Sequence, residues 1–558
     1  MFKIWLIIAS NCFYLKKYEN HKASIFILKI KYIYGIYMKN FIVVTGGVIS
    51  GLGKGITAST IGLLFKKRGI DVTAVKIDPY LNVDAGTMSP YEHGECYVLN
   101  DGGEADLDLG NYERFLNTDL NKNCNITSGK VYKNVIDRER SGDYLGRTVQ
   151  IVPHITDEIK RLLLNCATRD ICVIELGGTV GDIEGMSFIE AIKQLSMDHN
   201  VCFVHVSLLL AHGKEFKTKP TQSSIRDLNN RGIFPNLLCL RTDTPTPESI
   251  KNKLQSLCRI HKSNIIDNVN IDNIYQVPAL FDEQNVCDKI ASILKINLNE
   301  RPMGYLSTYH DMSNLLVNKN DKKRSNIFII GKYTENDDTY LSIIRAIEHA
   351  SLLCNVVPNI IIKSSHKLSD NIDILSKADA VIIPGGFGLR GTAEKINAIT
   401  YCRENKIPIL GICLGFQMMA IELARNVCGV TDAKSEEDNS KSGTNVIIMN
   451  PECVDAKLGG SMRLGLLETL ITQKCMTQDL YGMNIIMERH RHRYEFNKGL
   501  SSLFKSNKII LIGDIHIDIL EFNDHPFFIG CQYHPEYISR LERPHPLFIG
   551  LIKKTIQC

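Results

Sequence analysis

The stretch Ile407-Pro408-Ile409-Leu410-Gly411-Ile412-Cys413-Leu414-Gly415-Phe416-Gln417-Met418-Met419-Ala420-Ile421-Glu422-Leu423-Ala424 decides the fold of the second half of the chain. An apolar run of strand character, Ile407 to Leu410, enters a glycine-flanked turn and leaves it as a helix beginning near Phe416. A buried strand that turns sharply into a helix lifts the residue at the turn out of the sheet, and the helix N-terminus favours an anion there. Cys413 occupies that turn, so its thiol is expected to be a nucleophile. Downstream, Gln532-Tyr533-His534-Pro535-Glu536 supplies an imidazole and a carboxylate two residues apart. On an extended segment such residues point to one side, so Glu536 can orient His534 while His534 deprotonates Cys413. A set of this kind suits amide hydrolysis with release of ammonia, and ammonia needs an acceptor elsewhere in the chain.

The chain has 558 residues, too many for one core, with 44% hydrophobic and 23% charged residues, the proportions of ordinary globular domains. A formal net charge of +4 is too small to argue for nucleic acid as a partner. The 17 cysteines lack CxxC pairs or regular spacing, which points to reduced core residues in a cytoplasmic protein rather than a disulfide framework or a zinc site. Phe2 to Ala9 is apolar but far shorter than the roughly 20 residues of a membrane span, so no membrane partner is expected. Residues 1–37 are expected to be a disordered extension or an upstream start absent from the mature protein; a weak signal peptide is the other reading.

From residue 38 to about 300, apolar runs alternate with helical periods, as in a parallel sheet covered by helices. The expected strands are Phe41 to Thr45, Val72 to Lys76, Ile171 to Leu176, Val201 to Ser207 and Leu237 to Arg241. Residues 301–325, ending in the polar Asn318 to Ser325, are expected to be a linker. A second alternation fills 326–558, with strands at Ile327 to Gly331, Ala380 to Ile383 and Phe527 to Gln532, and a polar loop at 434–444. Two α/β domains are the simplest architecture.

The first strand runs into Gly46-Gly47-Val48-Ile49-Ser50-Gly51-Leu52-Gly53-Lys54-Gly55-Ile56-Thr57 and then a helical stretch. Glycines let backbone N–H groups converge on phosphate, Lys54 adds charge, and the helix points its positive end at the anion. The spacing departs from the usual phosphate loop: five residues separate Gly47 from Gly53, and Gly55 stands where Ser or Thr normally meets magnesium. Asp106-Leu107-Asp108-Leu109-Gly110 and Glu175, at the end of a strand, offer replacement oxygen ligands. Lys76 ends the second strand on the same edge as Lys54. Gly181-Asp182-Ile183-Glu184 offers acceptors for a base or sugar, and Lys217-Thr218-Lys219-Pro220-Thr221-Gln222 gathers cations and hydroxyls apt for a triphosphate.

With these residues the sequence stops being generic. Over nearly all of residues 38–555 it resembles the CTP synthase family, carried by VTGGVISGLGKG, KIDPYLNVDAGTMSPYEHGE, EADLDLGNYERF, GDYLGRTVQIVPH, ELGGTVGDIE, KTKPTQ, PGGFGLRG, GICLGFQ, ERHRHRYE and CQYHPE. The resemblance implies a phosphate-loop-like amidoligase (synthetase) domain joined to a flavodoxin-like, triad-type glutaminase, assembled as a homotetramer. It implies that ATP phosphorylates O4 of UTP, that ammonia from glutamine arrives through an internal tunnel and displaces the phosphate, that magnesium assists, that GTP activates and that CTP inhibits.

By motif, the resemblance assigns Gly51, Leu52, Gly53, Lys54, Gly55, Ile56 and Asp106 to ATP, Lys54 and Lys76 to phosphoryl transfer, and Asp106 and Glu175 to Mg2+. It assigns Ser50, Asp182, Ile183, Glu184, Lys217 to Gln222 and Lys253 to UTP or CTP. Gly386, Leu414, Gly415, Phe416, Gln417, Glu437 and Arg493 would bind glutamine, with Glu436 a rival to Glu437. Gly386 and Leu414 can offer N–H groups to an oxyanion, and Arg493 and Glu437 suit the carboxylate and ammonium of an amino acid. His93 resembles the gate of the ammonia tunnel, and Gly459 to Gly465 a lid linked to GTP. Two departures stand out: Gly51 replaces a common serine, and Leu208 to Gly213 looks about two residues short and lacks a proline. Other readings keep the amidotransferase chemistry with a different acceptor, as in cobyric-acid-type enzymes, or make the chain a non-catalytic scaffold; KTKPTQ and GTVGDIE oppose the first, and the intact Cys413, His534, Glu536, Lys54 and Asp106 the second.

Overall fold

The computed structural model describes residues 38–213, 215–271, 273–317, 322–368, 371–439, 442–453 and 462–557. The extension 1–37 and Gly459 to Ser461 of the expected lid lie outside them. The first domain is built on strands β1 (Asn40–Gly46), β2 (Val72–Asp78), β3 (Asn125–Thr127), β4 (Ile171–Leu176), β5 (Asn200–Leu208), β6 (Leu237–Thr242) and β7 (Ile265–Val269). They form one parallel sheet in the order β7-β6-β5-β1-β4-β2-β3. Helices cover both faces, so the strands read as continuous apolar runs. Successive residues of β1 feed opposite cores: Ile42 and Val44 pack with Ala74 and Val173, and Phe41 and Val43 with Val75 and Ile174.

The second sheet comprises β8 (Arg324–Gly331), β9 (Val357–Ser364), β10 (Ala380–Ile383), β11 (Ile409–Ile412), β12 (Ile509–Ile512), β13 (Ile519–Phe522) and β14 (Phe528–Cys531). Its order is β9-β8-β10-β11-β14-β13-β12. The five parallel strands β8, β9, β10, β11 and β14 therefore follow the 2-1-3-4-5 order of flavodoxin-like sheets, extended by two antiparallel strands.

Three segments differ from the sequence reading. The stretch taken as a linker contains a helix, Ser307–Val317, whose Tyr309, Met312 and Leu315 are buried in the first domain's core; a three-residue apolar spacing on one helix face explains it. The polar stretch at 434–444 opens with a two-residue strand, Lys434–Ser435, pairing with Asn445–Met449. The short loop after β5 is a hairpin of Leu210–His212 and Glu215–Lys217. No helix of the described residues is long and apolar enough to cross a membrane.

Candidate active sites and the passage between them

Cys413 stands between β11 and the helix Leu414–Asn426 with φ 52° and ψ −101°, a conformation that costs a non-glycine residue energy and clusters at functional turns. The glycines around it keep the elbow tight. A β-carbon on Gly415 would lie 2.0 Å from the Ile383 carbonyl oxygen, and one on Gly385 would lie 2.9 Å from His534 Cε1. His534 Nδ1 donates to Glu536 Oε1 at 2.7 Å, both side chains being buried. Burial alone would lower the imidazole pKa; Glu536 first and then Cys413 outweigh it and raise His534 to about 10. The ring is thus held as an imidazolium beside the thiol, the charge state that stabilises a thiolate. The Cys413 thiol donates to the Arg491 carbonyl at 3.6 Å.

The triad opens into a cavity of ≈ 200 Å³ lined from both domains, by Gly385, Phe387 and Arg493 on one side and Thr87, Glu95 and Cys96 on the other. Gly386 also lines it, with Leu414 against its Cα: a β-carbon there would meet Leu414 Cδ2 at 3.5 Å. Arg493 sits 5.8 Å from the Phe387 ring centre. Glu437 Oε1 accepts from Gly388 N at 3.0 Å, whereas Glu436 Oε2 accepts from Met449 N at 2.6 Å and so braces a neighbouring strand. Neither carboxylate lines the cavity; Glu437 is tied to Gly388, the residue after Phe387, and Phe387 does line it. Phe416 is buried in the core beneath the elbow, and Gln417 donates to the Tyr494 carbonyl at 3.1 Å. Neither these two side chains nor Gly415 line the cavity.

In the first domain the loop 47–53 caps the sheet edge. Gly51 and Gly53 have φ of 72° and 82°, with open space where a β-carbon would stand, and Leu52 is buried beneath them. Gly53 starts the helix Lys54–Lys67 with no side-chain cap, leaving its first N–H groups for an anion. Lys54 curls over Gly46 and donates to the Gly178 carbonyl at 2.8 Å; burial lowers its pKa. Lys76 is the hub of a carboxylate cluster: it pairs with Asp108, with Glu175 at 3.1 Å, and with Asp78 and Asp106 at 3.9 Å each. Tyr112 donates to the other oxygen of Glu175. Burial, partly offset by Lys76, raises Asp106 to about 7 and Asp78 to about 6. Burial also raises Glu175, with Asp108 adding to it.

Gly55 explains the missing hydroxyl of the loop. A β-carbon on it would stand 2.2 Å from Asp108 Oδ1, so the space that serine or threonine fills in the usual loop is taken by a carboxylate. Among the described residues no three His, Cys, Asp or Glu side chains converge as a ready metal cage. Four carboxylates facing Lys76 and Lys54 nonetheless leave a surplus of negative charge, and Mg2+ is usually held by one or two carboxylates together with substrate phosphates. Asp106 and Glu175 fit that role, with Asp108 beside them.

The residues assigned to the second nucleotide surround the same loop. Val180 N donates to the Gly46 carbonyl at 2.8 Å, tying the GTVGDIE segment to the end of β1. Asp182 accepts from Thr179 N at 3.2 Å, while Ile183 and Glu184 are exposed, as is Ser50. Helix Lys219–Asn230 packs on the loop through Ser224, whose Oγ would lie 1.6 Å from a β-carbon on Gly47. Lys217 and Lys219 are exposed beside the half-buried Pro220; Lys217 pairs with Glu215 at 2.7 Å, and the exposed Lys253 acts on that same carboxylate. Thr221 is buried and donates to the Leu208 carbonyl, and Gln222 donates to Thr218 Oγ1. These last three brace the turn rather than face outward.

The two domains are bolted together around the cavity. Glu113 of the first domain accepts from Arg489 at 2.8 Å and Arg540 at 2.8 Å, all three side chains being at most 1% exposed. Tyr97 donates to the Tyr537 carbonyl at 2.7 Å, and Tyr537 donates to the Cys96 carbonyl at 3.0 Å. Arg491 reaches Glu104 at 2.7 Å and the Gly86 carbonyl at 3.0 Å. His93, in the short helix Pro90–His93, is half exposed beside Tyr80, with ring centres 6.2 Å apart. Sequence reading gave no role to Asp78, Glu113 or Arg491; KIDPY, EADLDLGNYERF and ERHRHRYE carried them, but only spatial neighbours disclose what they do.

Comparison with known proteins agrees with both halves. The family model for the CTP synthase N-terminus matches residues 40–296, and that for class-I glutamine amidotransferases matches residues 336–554. CTP synthase of Halobacterium salinarum is 46% identical over 527 residues, covering 93% of this chain and 94% of that protein. CTP synthase 2 of Bos taurus is 44% identical over 545 residues, covering 92% of each. Similarity of this depth across both domains and the join between them means that the chain belongs to the CTP synthase family.

Proposed function

We infer that this protein converts UTP to CTP with nitrogen taken from glutamine, and that Cys413, His534 and Glu536 release that nitrogen while the phosphate-loop domain activates UTP with ATP. The observation that carries this reading is the single cavity that joins the Cys413 elbow to residues of the first domain. Cys413 attacks the glutamine amide, His534 passes its proton to the departing ammonia, and Glu536 keeps the imidazole oriented and charged. Backbone N–H groups at Gly386 and Leu414 stabilise the oxyanion, while Arg493 and Glu437 hold the carboxylate and ammonium ends of glutamine. Gln417 supports the pocket by bracing Tyr494.

In the first domain, Gly51 to Ile56 cradle the ATP phosphates, and Lys54 and Lys76 neutralise charge as the γ-phosphoryl group moves to O4 of UTP. Asp106 and Glu175 would hold Mg2+, which would supply charge neutralisation for the phosphates. Ser50, Asp182 to Glu184, Lys217 to Gln222 and Lys253 form the UTP and CTP surface. Ammonia travels inside the protein, away from water that would protonate it, past Pro90 and His93. A cytoplasmic homotetramer activated by GTP and inhibited by CTP completes the reading; the family resemblance supports it. The test is purified protein with UTP, ATP, Mg2+ and glutamine, following conversion of the uracil to a cytosine ring by absorbance. No turnover with glutamine or with ammonium chloride overturns it.

A further inference from the structure

The cavity at Cys413 does not end where the glutaminase ends. Gly86, Thr87 and Met462 line it and also line a second cavity of ≈ 200 Å³ that extends into the first domain. The far wall of that second cavity includes Asn125, the first residue of β3, which stands opposite Lys76 in the register of β2 and β3. Asn125 is 1% exposed. Its Nδ2 donates to Asp78 Oδ2 at 2.8 Å, and because a carboxylate only accepts, this bond decides which end of the amide is oxygen. That oxygen, Oδ1, is buried without a hydrogen-bond partner. Lys130, on the same wall, gives two of its donors to the Asn125 and Lys122 backbone carbonyls and makes no hydrogen bond to Oδ1. Buried acceptors in native proteins are almost always satisfied, by protein or by a small bound donor, so an unpartnered oxygen on a cavity wall is a place where such a donor is held.

The donor has to be small enough for this cavity, and ammonia set free at Cys413, where the neighbouring cavity shares three lining residues, meets that requirement. We propose that Asn125 is a receiving site for ammonia, its Oδ1 accepting one N–H of the molecule set free at Cys413 and holding it one strand away from Lys76. This rests on the reading above, in which nitrogen from glutamine reaches a nucleotide at the phosphate loop. A neutral amide suits the task. It fixes ammonia through a hydrogen atom and leaves the nitrogen lone pair free to attack, and it gives less encouragement to protonation than a carboxylate in the same place. Asp78 acts behind it as a positioning residue, orienting the amide.

The experiment compares the full chain with Asn125→Leu, measuring CTP formed per glutamine hydrolysed at saturating UTP and ATP, and separately the KM for ammonia in ammonium-driven synthesis. Loss of one hydrogen bond of ordinary net size corresponds to about tenfold weaker capture. The expected result is therefore a roughly tenfold lower ratio of CTP to glutamine hydrolysed, with glutamine hydrolysis itself close to wild type and the KM for ammonia raised by a similar factor. Asn125→Ser, which adds no bulk, is read in the same way should the leucine variant not fold. A ratio equal to that of wild type in the folded variant overturns the proposal, whether or not the overall rate has fallen. Absence of CTP from the wild-type chain with either nitrogen source would overturn the functional reading and the proposal with it, an outcome distinct from an unchanged ratio.

Discussion

Asp108 Oδ1 occupies the space in front of Gly55, 2.2 Å from where a β-carbon on that glycine would stand. Restoring the serine of a conventional phosphate loop is therefore expected to harm this one. Gly55→Ser pushes on a carboxylate already paired with Lys76 and should cost about 1–3 kcal/mol of stability. CTP synthesis should be lost with glutamine and with ammonia alike, while basal glutamine hydrolysis persists. Parallel assays of glutamate release and CTP formation check it; synthesis at the wild-type rate would refute the steric argument.

Cys413→Ala should abolish glutamine-dependent synthesis and leave ammonia-driven synthesis nearly unchanged, because the thiol serves only to liberate nitrogen. Lys54→Ala should remove both. Initial rates with each nitrogen source separate the two variants.

Glu536→Gln removes the largest influence that holds His534 up to about 10. Burial then weighs more heavily against the remaining influence of Cys413, and the imidazole should titrate lower than in wild type. Activity of a thiolate–imidazolium pair is lost as the imidazolium deprotonates, so the alkaline limb of kcat/KM for glutamine should move down in pH. At neutral pH the rate should fall about 10²-fold, the low end of what general acid–base catalysis contributes. The same shift has a stability sign. A His pKa raised on folding contributes stability that is fully present below the unfolded value near 6.5 and is lost as pH rises through about 10, so wild type and Glu536→Gln should differ in stability below about pH 6.5 and converge above about pH 10. Denaturant titrations across that range measure it.

Glu113→Ala leaves two buried guanidinium groups, Arg489 and Arg540, without their shared carboxylate. Breaking a buried pair in this way costs about 3–5 kcal/mol. Urea unfolding should show that loss, and glutamine-dependent synthesis should suffer more than ammonia-driven synthesis, since Arg540 braces the Tyr537 carbonyl in the turn that follows His534.

Glu437→Ala should raise the KM for glutamine with little change in kcat, the mark of lost substrate binding rather than lost chemistry. Glu436→Ala should instead act on stability through the strand at Met449.

Much of this molecule was legible in its sequence wherever a local pattern mirrors a local structure. β1, β4 and β6 announce themselves as apolar runs because both of their faces are buried. The elbow at Cys413 and the dyad of His534 and Glu536 are each encoded within a few residues. β3 escaped notice because Asn125-Ile126-Thr127 is too short and too polar for any periodicity. The helix Ser307–Val317 was hidden by its polar neighbours; Asp108 stood out as a candidate oxygen ligand, but its contact with Gly55, 53 residues earlier in the chain, did not. Asn125 is harder still: an unpaired oxygen is a property of surroundings assembled from several strands and loops, and nothing in its own sequence neighbourhood predicts it.

The segment bearing Glu536 is fastened by the opposite domain, through Tyr97 and Cys96 at Tyr537 and through Glu113 at Arg540. Such fastening makes the nitrogen-releasing half dependent on the half that consumes nitrogen. A free-standing C-terminal fragment would keep its cysteine, histidine and glutamate yet lose the clamp that aligns them, and should be a poor hydrolase. Thrift is thereby written into the join: glutamine is spent efficiently only where the machinery to use its ammonia is already in place.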